Sequence, residues 1–293
     1  MLRGDASTTG DTGRVSPRVS VVVPVFNGMP YLRDLADALI KQDYPDLEIV
    51  FSETGSTDGS AEFLATLDDP RIRIITPDAP GAALNWTAAT QAAQGAFIKL
   101  VCQDDLIVPG AITRQVQDLE QHPTAVMAFA PRDIIDARGS VLYAKRGCQG
   151  LRPGLHNGAD VIRRCYLPGG NIIGEPLTVL FRREPLLATM PWDDSNPLML
   201  DVTQYAKVAP QGDVVVREES IGAFRVSTSS WSTRLADVQR AQFARWQREY
   251  AASLTTPPSV TDRARAWLGM ERNALMRRAA YAVLRTKGAF DSH

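Results

Sequence analysis

Residues Gly95 to Pro109 read GAFIKLVCQDDLIVP, an apolar run that ends abruptly in two adjacent carboxylates. The stretch from Ala96 to Val101 predicts a short strand covered on both faces, because an apolar run of this length closed by a turn suits a parallel sheet better than a helix. Asp104 and Asp105 then lie just outside the carboxyl edge of that sheet, where open α/β folds bind ligands. Two hard oxygen donors in that place suit Mg²⁺ or Mn²⁺ carrying phosphate, since such ions are typically held by one or two carboxylates plus substrate oxygens. The same residues also suit a plain acidic turn before a helix begun at Pro109, because acidic residues favour helix N-termini. The flanking segments decide between the two.

Upstream, Val19 to Val23 is a β-branched run closed by Pro24 and predicts a buried first strand. Pro30 then starts a helix with Leu32, Leu35, Ala36, Leu39 and Ile40 at helical spacing. Asp46 to Phe51, Ser60 to Leu67 and Arg71 to Ile75 read as strand, helix and strand. Gly81 to Gln94 is an Ala-rich helix that Gly95 can end, and Pro109 to Gln121 is the next. Strands alternating with helices define an α/β fold with a mostly parallel central sheet and helices on both faces.

Downstream the rhythm changes. Ala125 to Ile135 and Val141 to Ala144, separated by turn residues, predict a hairpin; Asn157 to Tyr166 a helix; Leu177 to Phe181 a strand; Pro197 to Ala209 a helix; and Asp213 to Arg217 a strand. Arg234 to Leu254 is helical, Thr255 to Ser259 is a linker, and a last helix runs from Thr261 to about Lys287. The expected organisation is a disordered leader over 1–16, one large domain over 17–230 in two halves (17–122 and 123–230), and a helical extension over 231–293.

The second predicted strand is followed by Glu53-Thr54-Gly55-Ser56-Thr57-Asp58-Gly59-Ser60. A carboxylate at a strand's end can accept from an imide N–H, as on uracil or thymine, while Asp58 suits a helix cap. With Pro24, Phe26 and Asn27 after the first strand, the chain resembles the family two glycosyltransferases of the GT-A fold over roughly Val15 to Ser230. That resemblance implies that Pro24, Phe26 and Asn27 flank a nucleotide and that Glu53 takes the place of the family's base-reading Asp. It implies that Asp104 is the diphosphate-metal ligand, with Asp105 beside it. Two departures stand out: the usual Asp-Asp pair is Glu53-Thr54, and the first acid of the usual DxDD string is Cys102, which is expected to point into the core.

In the second half, Leu200-Asp201 stands where the family shows an ED pair, so the resemblance assigns Asp201 as general base. It also implies an acceptor-side loop containing Asn171 and Glu175, and it matches Arg225 to the family's closing RxH element, with Ser227 in place of His. His122 and His156 have no triad companions. The implied activity is metal-dependent, inverting transfer of a sugar from a nucleoside-diphosphate donor, UDP or dTDP favoured, to a sugar or lipid-linked acceptor, in cell-surface polysaccharide or glycolipid synthesis. The rival readings are a non-catalytic nucleotide-sugar binder, which would explain the lost acids, and a nucleotidyltransferase, for which a Gly-rich loop with a basic residue near the first strand is missing. No P-loop, GxGxxG or GxSxG string is present.

The composition fits this reading. Charged residues at 22% and hydrophobic ones at 44% are ordinary for a globular protein. The net charge of -1 conceals +4 between Thr261 and His293 and -5 before it, and an acidic body excludes a general nucleic-acid binder. Cys102, Cys148 and Cys165 show no CxxC spacing, so reduced thiols in a cytoplasm fit best. The basic last helix adds the expectation of peripheral contact with an anionic membrane.

Overall fold

A computed structural model describes residues 18–227 and 238–286. The expected leader, the start of the helix expected at Arg234 and the expected end at Lys287 lie outside the described residues.

The strands are Val19–Val25 (β1), Leu47–Glu53 (β2), Ile72–Ile75 (β3), Phe97–Leu100 (β4), Leu106–Ile107 (β5), Ala125–Phe129 (β6), Arg132–Ile135 (β7), Val141–Arg146 (β8), Gly154–Asn157 (β9), Val179–Arg182 (β10), Asp213–Val216 (β11) and Gly222–Arg225 (β12). Helices run over Leu32–Ile40 (α1), Ser60–Leu64 (α2), Ala82–Ala92 (α3), Ala111–Gln121 (α4), Gly158–Tyr166 (α5), Arg183–Leu187 (α6), Leu200–Val208 (α7), Gln239–Ser253 (α8) and Val260–Thr286 (α9). Eight strands form one sheet in the order β3-β2-β1-β4-β10-β6-β11-β9. The pairs β3-β2, β2-β1, β1-β4 and β6-β11 are parallel, whereas β10 runs antiparallel between β4 and β6. A smaller sheet, β5-β12-β7-β8, stands apart from it.

Alternation along the strands explains why both faces of the large sheet are covered. Val19, Val21, Val23 and Val25 point into a cluster with Leu35 and Leu39 of α1 and Ile112, Val116 and Leu119 of α4. Val22, Val50, Ile98 and Leu100 point the other way, into a cluster with Ala89 of α3, Val161 of α5 and Tyr205 of α7. Phe243, Trp246 and Tyr250 of α8 and Ala266 and Met270 of α9 belong to that second cluster too. The helices set apart in sequence as an extension thus share the core of the sheet they follow.

Three elements differ from expectation. β1 does not stop at Pro24. Val22 O accepts from Val101 N at 3.0 Å, but β4 pairs β1 no further than Val22. The missing N–H of Pro24 therefore falls beyond the ladder and costs no bond. The run Ala125 to Ile135 is two strands in different sheets, parted at Pro131, so only β7 and β8 form the expected hairpin. Finally, the apolar run of β4 conceals a fully buried Lys99. Its Nζ donates to Gln115 Oε1 at 2.8 Å and to the carbonyls of Leu177 and Val179, tying β4 to α4 and β10. Burial pushes this amine down to about 7.

Candidate active site

Three strand ends meet at one edge of the sheet, and their turns are stitched together by side chains. Asn27 adopts φ 51°, a left-handed conformation that Asn tolerates. Its Oδ1 accepts from Thr57 N at 2.8 Å, and its own N–H donates to Ser56 Oγ at 2.9 Å. Asp58 accepts from Met29 N at 2.8 Å and from Ser60 N at 3.0 Å; the N-cap of α2 is Gly59, so the residue expected to cap this helix ties the turn after β1 to its first residue instead. Gln103, one residue before the acidic pair, brackets Phe26 with both ends of its side-chain amide, Oε1 accepting from the Phe26 N–H at 2.8 Å and Nε2 donating to the Phe26 carbonyl at 2.9 Å. Phe26 itself is 57% exposed above this edge.

Glu53 is buried at the end of β2, and its Oε1 accepts from Ser56 N at 2.5 Å. Burial alone would raise its carboxyl, but hydrogen bonds from Ser56 and Gly55 outweigh that and hold it below the usual carboxylate range. Pro24 is buried within β1, level with Ser52.

The acidic turn separates its two carboxylates. Asp104 is partly exposed and faces a cleft, whereas Asp105 is fully buried. One oxygen of Asp105 accepts from Arg225 N at 3.3 Å. Burial, with Asp104 and Glu175 adding repulsion, pushes the Asp105 carboxyl well above its ordinary range. Asp105 lies in the core and does not line the cleft that Asp104 faces, which corrects the expectation of a paired Asp104-Asp105 site. Arg225 is corrected with it. Its guanidinium is buried, donates to Asp104 O at 3.0 Å and Ala137 O at 3.1 Å, and lies 4.4 Å from the centre of the Tyr31 ring. It packs against the acidic turn and does not line the cleft that Asp104 faces. Among the described residues no three His, Cys, Asp or Glu side chains are grouped to hold a metal.

In the second half of the chain, Asn171 acts as a hub. Its Oδ1 accepts from Ile173 N and Gly174 N at 3.1 and 3.0 Å, and its Nδ2 donates to Gly174 O at 2.9 Å and Asp201 Oδ2 at 2.8 Å. Asp201 sits in the first turn of α7, with its other oxygen 2.7 Å from Val202 N. Burial pushes its carboxyl up to about 7; the Val202 N–H opposes that shift and the charge of Glu175 adds to it. Glu175 pairs with Arg132 at 2.5 Å.

These groups converge. A cleft of about 320 Å³ is lined by Cys102, Asp104, Asn171, Glu175 and Asp201, with Arg132 beside them. Cys102, expected to point into the core, packs against it and also lines the cleft beside Asp104. Phe26, Asn27, Glu53 and Arg225 do not line it, so the turns after β1 and β2 and this cleft are neighbouring parts of one edge. A carboxylate poised near neutrality on the wall of such a cleft can take a proton at physiological pH. Sequence reasoning missed Gln103 although it lies inside the quoted motif, and missed Arg132, whose strand was read only as half of a hairpin.

The mostly parallel sheet, with the turns after β1, β2 and β4 gathered at one edge, is that of the GT-A fold. Residues 20–187, more than half of the chain, match the model for glycosyl transferase family 2, and the chain belongs to that family. It is 26% identical over 247 residues to the uncharacterized protein MT1568 of Mycobacterium tuberculosis, covering 82% of this chain and 77% of that one. Other matched relatives are longer, and the chain spans 14 to 21% of three of them. Among solved structures, S. aureus TarS 1–349 in complex with UDP-GlcNAc superposes with a TM-score of 0.65 at 15% identity, covering 86% of this chain and 72% of that one. The mannosyltransferase PcManGT from Pyrobaculum calidifontis, in complex with GDP-Man and Mn²⁺, gives 0.60 at 19% identity, covering 94% and 81%. At these identities the likeness establishes the fold.

Proposed function

We propose that this chain is an inverting glycosyltransferase that moves a sugar from a nucleoside diphosphate, UDP or dTDP favoured, to an acceptor hydroxyl. The observation that carries this reading is Asp201, held by Asn171 in the same cleft as Asp104 with its carboxyl raised to about 7. In the reaction, the Asp201 carboxylate takes the proton of the acceptor hydroxyl as its oxygen attacks the anomeric carbon. The bond from that carbon to the diphosphate breaks on the opposite face, and the electron pair leaves with the diphosphate. Asn171 keeps Asp201 aimed, and Arg132 holds Glu175 to one side of the path. Exposed Phe26 offers a ring face to the base, and Glu53 marks the end of β2 beside it.

Mn²⁺ or Mg²⁺ fits here only as an ion that takes one protein carboxylate, Asp104, and finds its remaining ligands among phosphate oxygens and water. When bound, it would offset the charge gathering on the leaving diphosphate. The Mn²⁺ in the PcManGT complex supports this by similarity.

The acceptor belongs, in this reading, to cell-surface polysaccharide or glycolipid assembly and is sugar- or lipid-linked, with the protein at the inner face of the membrane. No helix among the described residues is long and apolar enough to cross a membrane. The outer face of α9, however, exposes Val260, Trp267, Leu268 and Leu275 between arginines, a pattern suited to shallow contact with anionic lipid.

The test is calorimetric titration of UDP, dTDP and GDP with and without Mn²⁺. Metal-dependent binding lost in Asp104→Ala is expected; unchanged binding and unchanged metal dependence in that variant would refute the metal assignment.

A further inference from the structure

One wall of the cleft is aromatic. Trp86, half-buried on α3, lines it together with Asp104 and Asp201, and at the same time packs against the core.

A second tryptophan, which does not line the cleft, holds this ring in place. Trp86 and Trp192 meet at 85° with ring centres 5.1 Å apart, an edge-to-face contact that takes up at most one face of either ring. Trp192 is buried and fastened to α3 twice. Its backbone N–H donates to Thr87 Oγ1 at 3.2 Å, and its Nε1 donates to Thr90 Oγ1 at 3.0 Å. The two hydroxyls in turn donate to Ala83 O and Trp86 O, each at 2.7 Å. Trp192 is therefore a satisfied core group, and Thr90 links its indole to the backbone of Trp86.

Position indicates what the exposed part of the Trp86 ring meets. Asn85, the residue before it, donates from Nδ2 to Val25 O at 3.3 Å and to Thr54 Oγ1 at 3.2 Å, which ties the start of α3 to the ends of β1 and β2. Phe26 and Glu53, read above as nucleotide-side, are the immediate neighbours of Val25 and Thr54. Trp86 thus stands where the donor turns pass into the cleft of Asp104 and Asp201. In a nucleoside-diphosphate sugar whose diphosphate is held at Asp104, the part that leads on toward Asp201 is the sugar. A pyranose has a rim of hydroxyls and two faces made largely of C–H groups. A flat indole covers one such face, removes it from water and leaves the rim free for polar groups.

We propose that Trp86 is a specificity-determining residue for the donor: its ring stacks on a C–H face of the transferred sugar and holds the anomeric carbon between Asp104 and Asp201. The inference rests on the transferase reading above.

The experiment is calorimetric titration of the full chain with Mn²⁺, using UDP and dTDP alone and UDP-glucose, UDP-galactose, UDP-GlcNAc and dTDP-glucose. Wild type, Trp86→Leu and Trp86→Phe are compared; Leu keeps apolar packing against Trp192 but loses the flat face, whereas Phe keeps a smaller one. Wild type is expected to bind at least one nucleotide sugar. For that ligand Trp86→Leu should lose about tenfold in affinity and Trp86→Phe about threefold, with the free nucleotide held within about twofold in both. Binding of the free nucleotide also reports that each variant is folded, and if Trp86→Leu does not fold, Trp86→Phe carries the comparison. The proposal is overturned if the variants weaken nucleotide sugar and free nucleotide alike, because the ring then serves the nucleotide or the fold. It is overturned equally if nucleotide-sugar affinity is unchanged, or if wild type binds a free nucleotide and none of the four sugars. Wild type that binds no nucleotide at all would sink the transferase reading itself, a result distinct from loss of the sugar with nucleotide binding intact.

Discussion

Replacing Asp201 by Asn should make the protein nearly inactive and more stable at once. Raising this carboxyl from 3.8 to about 7 corresponds to on the order of 4 kcal/mol held against folding above neutral pH. The sign follows from the two states. Below pH 3.8 the group is protonated whether folded or not and costs nothing. Between 3.8 and 7 the unfolded chain releases its proton first, so stability falls as pH rises, and above 7 the full cost is present. Asn removes the charge and keeps the shape. It can accept from Val202 N or from Asn171 Nδ2 but not both, which gives back about 1 kcal/mol. The net gain at pH 8 is then at most about 3 kcal/mol, or roughly 5 °C in melting temperature for a chain of this size, and it vanishes near pH 4. Turnover should fall by on the order of 10² to 10⁴ with donor affinity unchanged. Glu175→Gln is the control. It strips the counter-charge from Arg132, whose side chain is 11% exposed, and should cost up to about 3 kcal/mol. Transfer rate, UDP affinity and thermal melts at pH 4 and 8 are measured for both variants. If Asp201→Asn keeps wild-type turnover while Glu175→Gln loses it, or if Asp201→Asn melts lower than wild type at pH 8, the assignment of the base is refuted.

The pH profile of kcat/KM should show an acid limb with an apparent pKa near 7, since Asp201 must be ionised to take a proton, and Asp201→Asn should lack it. Gln103→Ala removes both hydrogen bonds that bracket Phe26, so UDP affinity should drop several-fold by calorimetry with a stability loss of about 1–2 kcal/mol; equal affinity would dissociate Gln103 from the donor turns. Gly95→Ala would set a methyl 2.6 Å from Ser20 N, and its urea midpoint should fall by the equivalent of about 1–3 kcal/mol. For the membrane face, the double variant Trp267→Glu, Leu275→Glu, which puts negative charge in place of apolar side chains, is the proper test, because removing α9 would also strip buried Ala266 and Met270 from the core; equal flotation of variant and wild type with phosphatidylserine vesicles would exclude that face.

The sequence alone determined the α/β rhythm, the strand at Phe97–Leu100 and the carboxylates at its end. Those features are local: β-branched runs, helical spacing and turn residues act within a few positions of each other. It also singled out Asp201 and Asn171 as residues of one half, but not their contact across 2.8 Å. Only the tertiary structure decided which member of a like pair does what. Asp104 and Asp105 are chemically identical neighbours, and one is partly exposed while the other is buried where Arg225, 120 residues from Asp105 in sequence, packs against the turn. The charge of Lys99 likewise finds its partners on α4 and on the segment leading into β10, which periodicity cannot name. The basic tail was visible as composition, but which of its arginines turns inward depends on the packing of α9 against Pro168 and Gly169. Long-range packing sets burial, and burial sets the protonation and reach of each charged group, so the division of labour in the site is a property of the fold.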